Sequence, residues 1–232
     1  MPIDNLTKKT IQNDWLNAFP ELSPYSKDKL YKLVGPLIIG IELIKMRSGE
    51  DYRPHFVVYS LWGGKMGDDI KGCLAGPTIL KEFHNKKNLQ FTIPYVKHEV
   101  YFRDMIESVK HELPVSLEGN LDLNSIIKMF NDYLQTPPLS VGKNSYLQAL
   151  MQAEKMKTVL YVANEEKAEQ ILDEIKAVDW DLTSFGDWNV NVMDWFKSLD
   201  KIIANRDHFI KQVNLNRQDS KISKLNSSEI IV

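Results

Sequence analysis

Three groups of residues in this 232-residue chain have side chains and spacings that could do chemistry or recognition. The first is Asp104, Glu107 and His111. At 100° per residue these lie within about 60° of one another on a helix, an arrangement able to hold a divalent metal or to act as acid and base. The same geometry puts Phe102, Met105, Ile106 and Val109 on the opposite side, with Arg103 and Lys110 flanking the acids. The expectation is therefore the solvated face of an amphipathic helix. The dipeptides His98-Glu99 and His111-Glu112 do not form a zinc-protease pattern. That chemistry needs a second histidine four residues after the first, and positions 102 and 115 are Phe and Val.

The second is Glu42, which interrupts the apolar run from Leu37 to Leu43. A buried carboxylate needs a partner or a shifted pKa. Metal-dependent nucleases with an E-x-K spacing carry the acid and lysine on one strand face. Here Glu42-Leu43-Ile44-Lys45 is one residue longer and puts Lys45 on the other face. An acid on the solvated side of a half-exposed strand is the plainer expectation. Glu42, or the 104–111 group, working with a divalent metal gives an alternative reading as a hydrolase or nuclease.

The third group is the segment Val178–Trp195. Three of the five tryptophans, Trp180, Trp188 and Trp195, fall in it with Phe185, interleaved with Asp179, Asp181, Asp187 and Asp194. Trp195 fits the core stripe of a following helix, but no periodic face turns Trp180 or Trp188 inward. Two readings stand. In one, the rings cover the edge of a sheet while the aspartates cap turns. In the other, Trp180, Asp181, Phe185, Asp187 and Trp188 form a docking surface, in which rings supply contact area and carboxylates speed encounter with a basic protein. The functional expectation is accordingly a non-catalytic protein-binding module, comparable with immunity or antitoxin-like proteins that neutralise a basic partner.

Other signals carry less. Gly63-Gly64-Lys65-Met66-Gly67 has neither the P-loop nor the dinucleotide-binding order, and the following Asp68 and Asp69 would repel phosphate, so it reads as a turn. Cys73 is the one cysteine, which excludes an intramolecular disulfide and any zinc site built on two or more thiolates. Arg206 and His208 interrupt a helical apolar stripe as surface residues would. There is no G-x-S-x-G elbow, and no cofactor or metal site is expected.

Charge and composition set the class. The chain has 29 Lys+Arg against 31 Asp+Glu, a net charge of −2, so it presents no global field for phosphates and nucleic acid is not a favoured partner. Between Asn164 and Asp200 ten acids face three lysines, a net of −7, whereas residues 201–232 carry six bases and three acids, a net of +3. The opening residues lack the apolar core of a signal peptide. The longest run without a charged or polar side chain in the N-terminal third, Leu33 to Ile41, is far short of a bilayer span, so a cytoplasmic protein away from membranes is expected.

The elements that position these groups read as follows. Ile11, Trp15, Leu16 and Phe19 predict a first helix. The alternation through Leu37–Leu43, the turn at Arg47–Asp51 and the run His55–Trp62 predict a hairpin, and Leu89–Tyr95 a third strand with Pro94 at an edge. Helices are expected around Phe102–Val109, Leu123–Leu134 and Tyr146–Met156, then a short strand at Thr158–Val162. A helix capped by Asn164 follows, then one long helix from Val192 to Val213, and Ile230-Ile231-Val232 is free to dock. The fold class is α+β, a small antiparallel sheet packed with several amphipathic helices. The paired prolines in 135–142 suggest a joint between a sheet-containing part, 1–134, and a mainly helical part, 143–232, or a loop within one continuous domain.

Overall fold

The computed structural model describes residues 4–62, 76–136, 139–140 and 142–232. The glycine-rich segment Gly63-Gly64-Lys65-Met66-Gly67, Cys73, and Pro137, Pro138 and Val141 of the suggested joint lie outside the described residues. Asp4 opens helix α1 (Asn5–Ala18) by accepting from the Thr7 amide at 2.8 Å, and the helix buries Ile11 and Trp15. Four strands follow in order: β1 (Ser23–Ser26), β2 (Lys29–Val34), β3 (Leu37–Lys45) and β4 (Asp51–Ser60), each antiparallel to its neighbour. Gly35, with φ +52°, and Pro36 make the two-residue turn between β2 and β3. Strand β5 (Ile79–Glu82) pairs with the far side of β4, and the short β6 (Ile93–Pro94) pairs with its start.

The remaining chain is largely helical: α2 (His98–Glu112), a short strand β7 (Leu121–Asp122), then α3 (Leu123–Leu134), α4 (Tyr146–Tyr161), α5 (Glu165–Ala177), α6 (Leu182–Asp187), α7 (Val192–Ala204) and α8 (Arg206–Arg217). The chain then returns to the sheet. Strand β8 (Ser227–Ser228) runs parallel to the end of β2, and β9 (Ile230–Ile231) runs parallel to β7. Ile230 packs where a side chain on Gly35 would be, 3.0 Å from its Cβ position, so that glycine serves both the turn and the tail.

Alternation along the strands divides the core in two. Leu30, Val34, Ile39, Ile41, Phe56 and Val58 face α1, α2 and α3 in one buried cluster. Tyr31, Leu33, Ile38, Val57 and Tyr59 face α4, α5, α7 and α8 in another. The central strands are therefore apolar on both faces because both are covered by helices. The architecture is α+β, an antiparallel sheet packed with helices on its two sides.

Several local readings need correction. Thr158–Val162 is not a strand but runs through the last turn of α4, with Thr158 Oγ1 donating to the Glu154 carbonyl at 2.8 Å. Met156, Thr158, Val159 and Leu160 are all buried, and a helix enclosed on most sides reads as a continuous apolar run. The predicted single helix from Val192 to Val213 breaks at Asn205, whose backbone leaves the helical region (φ −121°, ψ 42°) and whose side-chain amide donates to the Lys201 carbonyl. Arg206 interrupts the apolar stripe for a structural reason. Its guanidinium donates to the carbonyls of Leu160 and Tyr161 at 2.9 and 3.0 Å, closing the C-terminus of α4. Of the predicted strand Leu89–Tyr95 only Ile93–Pro94 joins the sheet, while Gln90 forms one isolated bridge with His84.

One lysine is part of the frame. Lys32 is 1% exposed, and its ammonium donates to the Glu21 carboxylate and to the carbonyls of Gly119 and Leu117, at 2.7 and 3.3 Å for the carbonyls. Glu21 also accepts from the Gly119 amide at 2.9 Å, so one buried cation fixes the loop before β7.

Candidate functional site

Glu42 lies on the same face of β3 as Ile38, the face covered by α4, α5, α7 and α8, and is buried rather than on a solvated strand face. Its partners are set by register. Glu42 sits opposite Lys29 of β2 and His55 of β4, and Tyr31 and Tyr59 come from the same two strands on the same face. One carboxylate oxygen accepts from the hydroxyls of both tyrosines and from the Lys29 ammonium at 3.1 Å. Burial first, and then the adjacent carboxylate, push both phenols above their usual range, so both act as donors. The Tyr31 and Tyr59 rings lie 5.7 Å apart with the Lys29 ammonium 6.0 Å from the Tyr59 centroid. Glu42 is the acceptor at the centre of a polar knot spanning three strands. The sequence signal for it was the interrupted apolar run; the two tyrosines were not picked out, because their register with Glu42 depends on β2.

His55 completes the row. Its Nδ1 lies 3.2 Å from the Arg53 carbonyl and its Nε2 3.2 Å from the side-chain nitrogen of Gln90, partners that fit a neutral ring protonated on Nδ1. Burial pulls its pKa below the usual value, in the same sense.

The Asp104, Glu107 and His111 side chains are exposed on the outer face of α2, with Met105 and Val109 buried beneath. Glu107 and His111 line a surface groove of about 290 Å³ with His84 and Glu112; Asp104 does not. Glu112 is engaged there by the backbone amide of His84 at 3.1 and 3.2 Å, with the His84 ring 3.5 Å away. Among the described residues no group of three or more His, Cys, Asp or Glu is arranged to hold a metal ion. Glu42 and the 104–111 group stand on opposite faces of the sheet and do not meet.

A chain of Tyr52, His98 and Asp14 was not anticipated. The Tyr52 hydroxyl lies 2.8 Å from His98 Nδ1, and His98 Nε2 lies 3.1 Å from the Asp14 carboxylate. The residue types suit an acid–base relay, but Tyr52 and His98 are both buried between α1, α2 and β4. The relay ties those elements together and reaches solvent only at Asp14, whose side chain is about one-third exposed. Burial again lowers the His98 pKa, with Asp14 opposing.

The acidic–aromatic segment divides into an inner and an outer part. Trp180 and Phe185 are interior, 7% and 1% exposed, which corrects the outward-facing expectation for both. With Trp195 they make a ring cluster at centroid separations of 5.5–6.0 Å, and Trp180 Nε1 donates to the Ile175 carbonyl at 2.8 Å, closing α5. Positions 180 and 185 flank the start of a six-residue helix, too short to show a period. Asp181 is the N-cap of that helix, accepting from the amides of Thr183 and Ser184 at 3.0 and 3.2 Å.

Trp188 is outside, 58% exposed, with its ring 5.8 Å from that of Tyr146 on α4. Leu182 and Met193, in the helices on either side, are 70% and 61% exposed. Asp179, Asp181, Asp187 and Asp194 are exposed in the same segment. The mount is firm: Asn144, before α4, donates its side-chain amide to the Asp179 carbonyl at 2.7 Å, and its own carbonyl accepts from the Asp181 amide at 3.0 Å. The Tyr146 amide donates to Ser184 at 3.1 Å. Among the described residues no helix is long and apolar enough to cross a membrane. In comparisons with known proteins no family model, no curated protein and no solved structure matches the chain.

Proposed function

We propose that this chain is a non-catalytic protein-binding module that docks a basic protein through the surface around α6, with Trp188 as anchor and Asp181 and Asp187 as its charged surround. Trp180 and Phe185 take no direct part; they form the rigid floor beneath. The observation that carries this reading is the exposure of Trp188 on an ordered mount, in a stretch whose net charge is −7 from Asn164 to Asp200. A held ring binds without losing much side-chain freedom, and an acidic surround steers a cationic partner. Neutralisation of a basic effector, in the manner of immunity or antitoxin-like proteins, is the form of binding these properties fit.

The test is comparative capture from a lysate of the source cells on immobilised wild-type chain and on Trp188→Ala/Asp187→Lys. A basic protein retained by the wild type, released by raised salt and absent from the variant supports the proposal. Identical capture by both removes this surface from the interface.

A further inference from the structure

A second surface has the opposite chemistry. A groove of about 560 Å³ opens between the end of β4 and the α7–α8 pair, lined among others by Trp62, Lys157, Lys201, His208, Phe209 and Gln212. Its volume is in the range of small-molecule sites. The Trp62 ring is fixed, because its Nε1 donates to Glu154 and its face lies 5.1 Å from Phe209 at an interplanar angle of 30°. Glu154 adds no free negative charge. One of its oxygens accepts from Ser60 and Trp62, and the other is paired with Lys157 at 3.0 Å.

The uncompensated cation is Lys201, exposed at the C-terminal end of α7 with no carboxylate within ion-pair distance among the described residues. Asp200 next to it is held by Lys176 at 2.6 Å, and neither Asp200 nor Asp207 lines the groove. His208 adds an exposed imidazole, and residues 201–232 have a net charge of +3. An immobilised aromatic ring beside an imidazole and an ammonium with no carboxylate partner among the described residues suits a ligand with a flat ring at one end and a compact anion at the other.

We propose that this groove binds a purine nucleotide, the base against the partly exposed Trp62 ring, which Phe209 backs from the core, and the phosphates toward Lys201 and His208. The site is distinct from the Trp188 surface and stands or falls independently of it. The test is calorimetric titration of the full chain with ADP and, separately, with pyrophosphate, repeated on Lys201→Glu/His208→Ala. Both positions are exposed on helices, so the variant should fold, which its thermal melt verifies. The expected result is saturable ADP binding, weaker binding of pyrophosphate, and ADP affinity reduced about tenfold or more in the variant. No ADP binding at millimolar concentration, pyrophosphate bound as tightly as ADP, or unchanged affinity in a folded variant would each overturn the proposal.

Discussion

The hydroxyl of Tyr133 on α3 sits on the edge of β5 that has no strand partner among the described residues, accepting from the Leu80 amide at 3.2 Å and donating to the Leu80 carbonyl at 3.1 Å. An exposed strand edge is a template for pairing with another chain, and here a side chain occupies its unpaired groups. Tyr133→Phe removes both hydrogen bonds while keeping the ring. The expected cost is about 1 kcal/mol, together with concentration-dependent self-association. Denaturant unfolding and light scattering across a concentration series check the two parts.

Glu42 gathers two buried hydroxyls and an ammonium on one oxygen, so its removal strands donors more than it breaks an ion pair. Glu42→Ala leaves the Tyr31 and Tyr59 hydroxyls without their acceptor, at a cost of about 1–3 kcal/mol each. The triple variant Glu42→Ala/Tyr31→Phe/Tyr59→Phe is predicted to recover part of the loss, because it leaves no stranded hydroxyl. Urea unfolding of the single and triple variants checks this; a triple variant less stable than the single would contradict it.

His55 and His98 are both buried, and burial lowers both pKa values below the usual histidine value of about 6.5. The folded chain therefore binds fewer protons at these sites than the unfolded chain. Stability is full above the unfolded value and declines as pH falls below about 6.5, with a slope of at most about 1.4 kcal/mol per pH unit for each ring. Unfolding free energies between pH 7.5 and 5, both approximate limits, should fall with acidification, and His55→Gln or His98→Gln should each flatten the profile.

Gly40 lies opposite Tyr31, and a Cβ there would be 2.0 Å from the Leu30 carbonyl oxygen. Only a residue without a side chain lets β2 and β3 approach this closely. Gly40→Ala is predicted to destabilise by at least about 1–3 kcal/mol, the scale of an overpacked core. Urea unfolding of Gly40→Ala against the wild type checks this.

The parts of the fold visible in the sequence were those with long, clean periods. The stripes of α1, α2, α3 and α5, the β3–β4 hairpin and the Asn164 cap all follow from local pattern. The misreadings came where tertiary structure overrides local pattern. The end of α4 is enclosed on most sides and shows no amphipathic period, and α7 and α8 keep one apolar stripe across a break that only the Asn205 backbone reveals. Lys32 was missed because its partners lie on other elements, Glu21 before β1 and Gly119 before β7, and the Tyr52–His98–Asp14 chain because its members stand many tens of residues apart. Of the surface around α6, the acid–aromatic composition was legible. Which rings point inward was not, since Trp180 and Trp188 differ only in how a six-residue helix seats on α4 and α5.

The central claim is that Trp188 and its acidic surround form a docking surface. The direct measurement is the affinity of the captured basic partner for wild-type chain, Trp188→Ala and Asp187→Lys, each at low and high salt. The account predicts a loss of about 2 kcal/mol or more for Trp188→Ala at either salt, the scale of an interface anchor. For Asp187→Lys it predicts slower association at low salt, with the difference from wild type shrinking as salt rises. Affinity and association rate unchanged in both variants would contradict it.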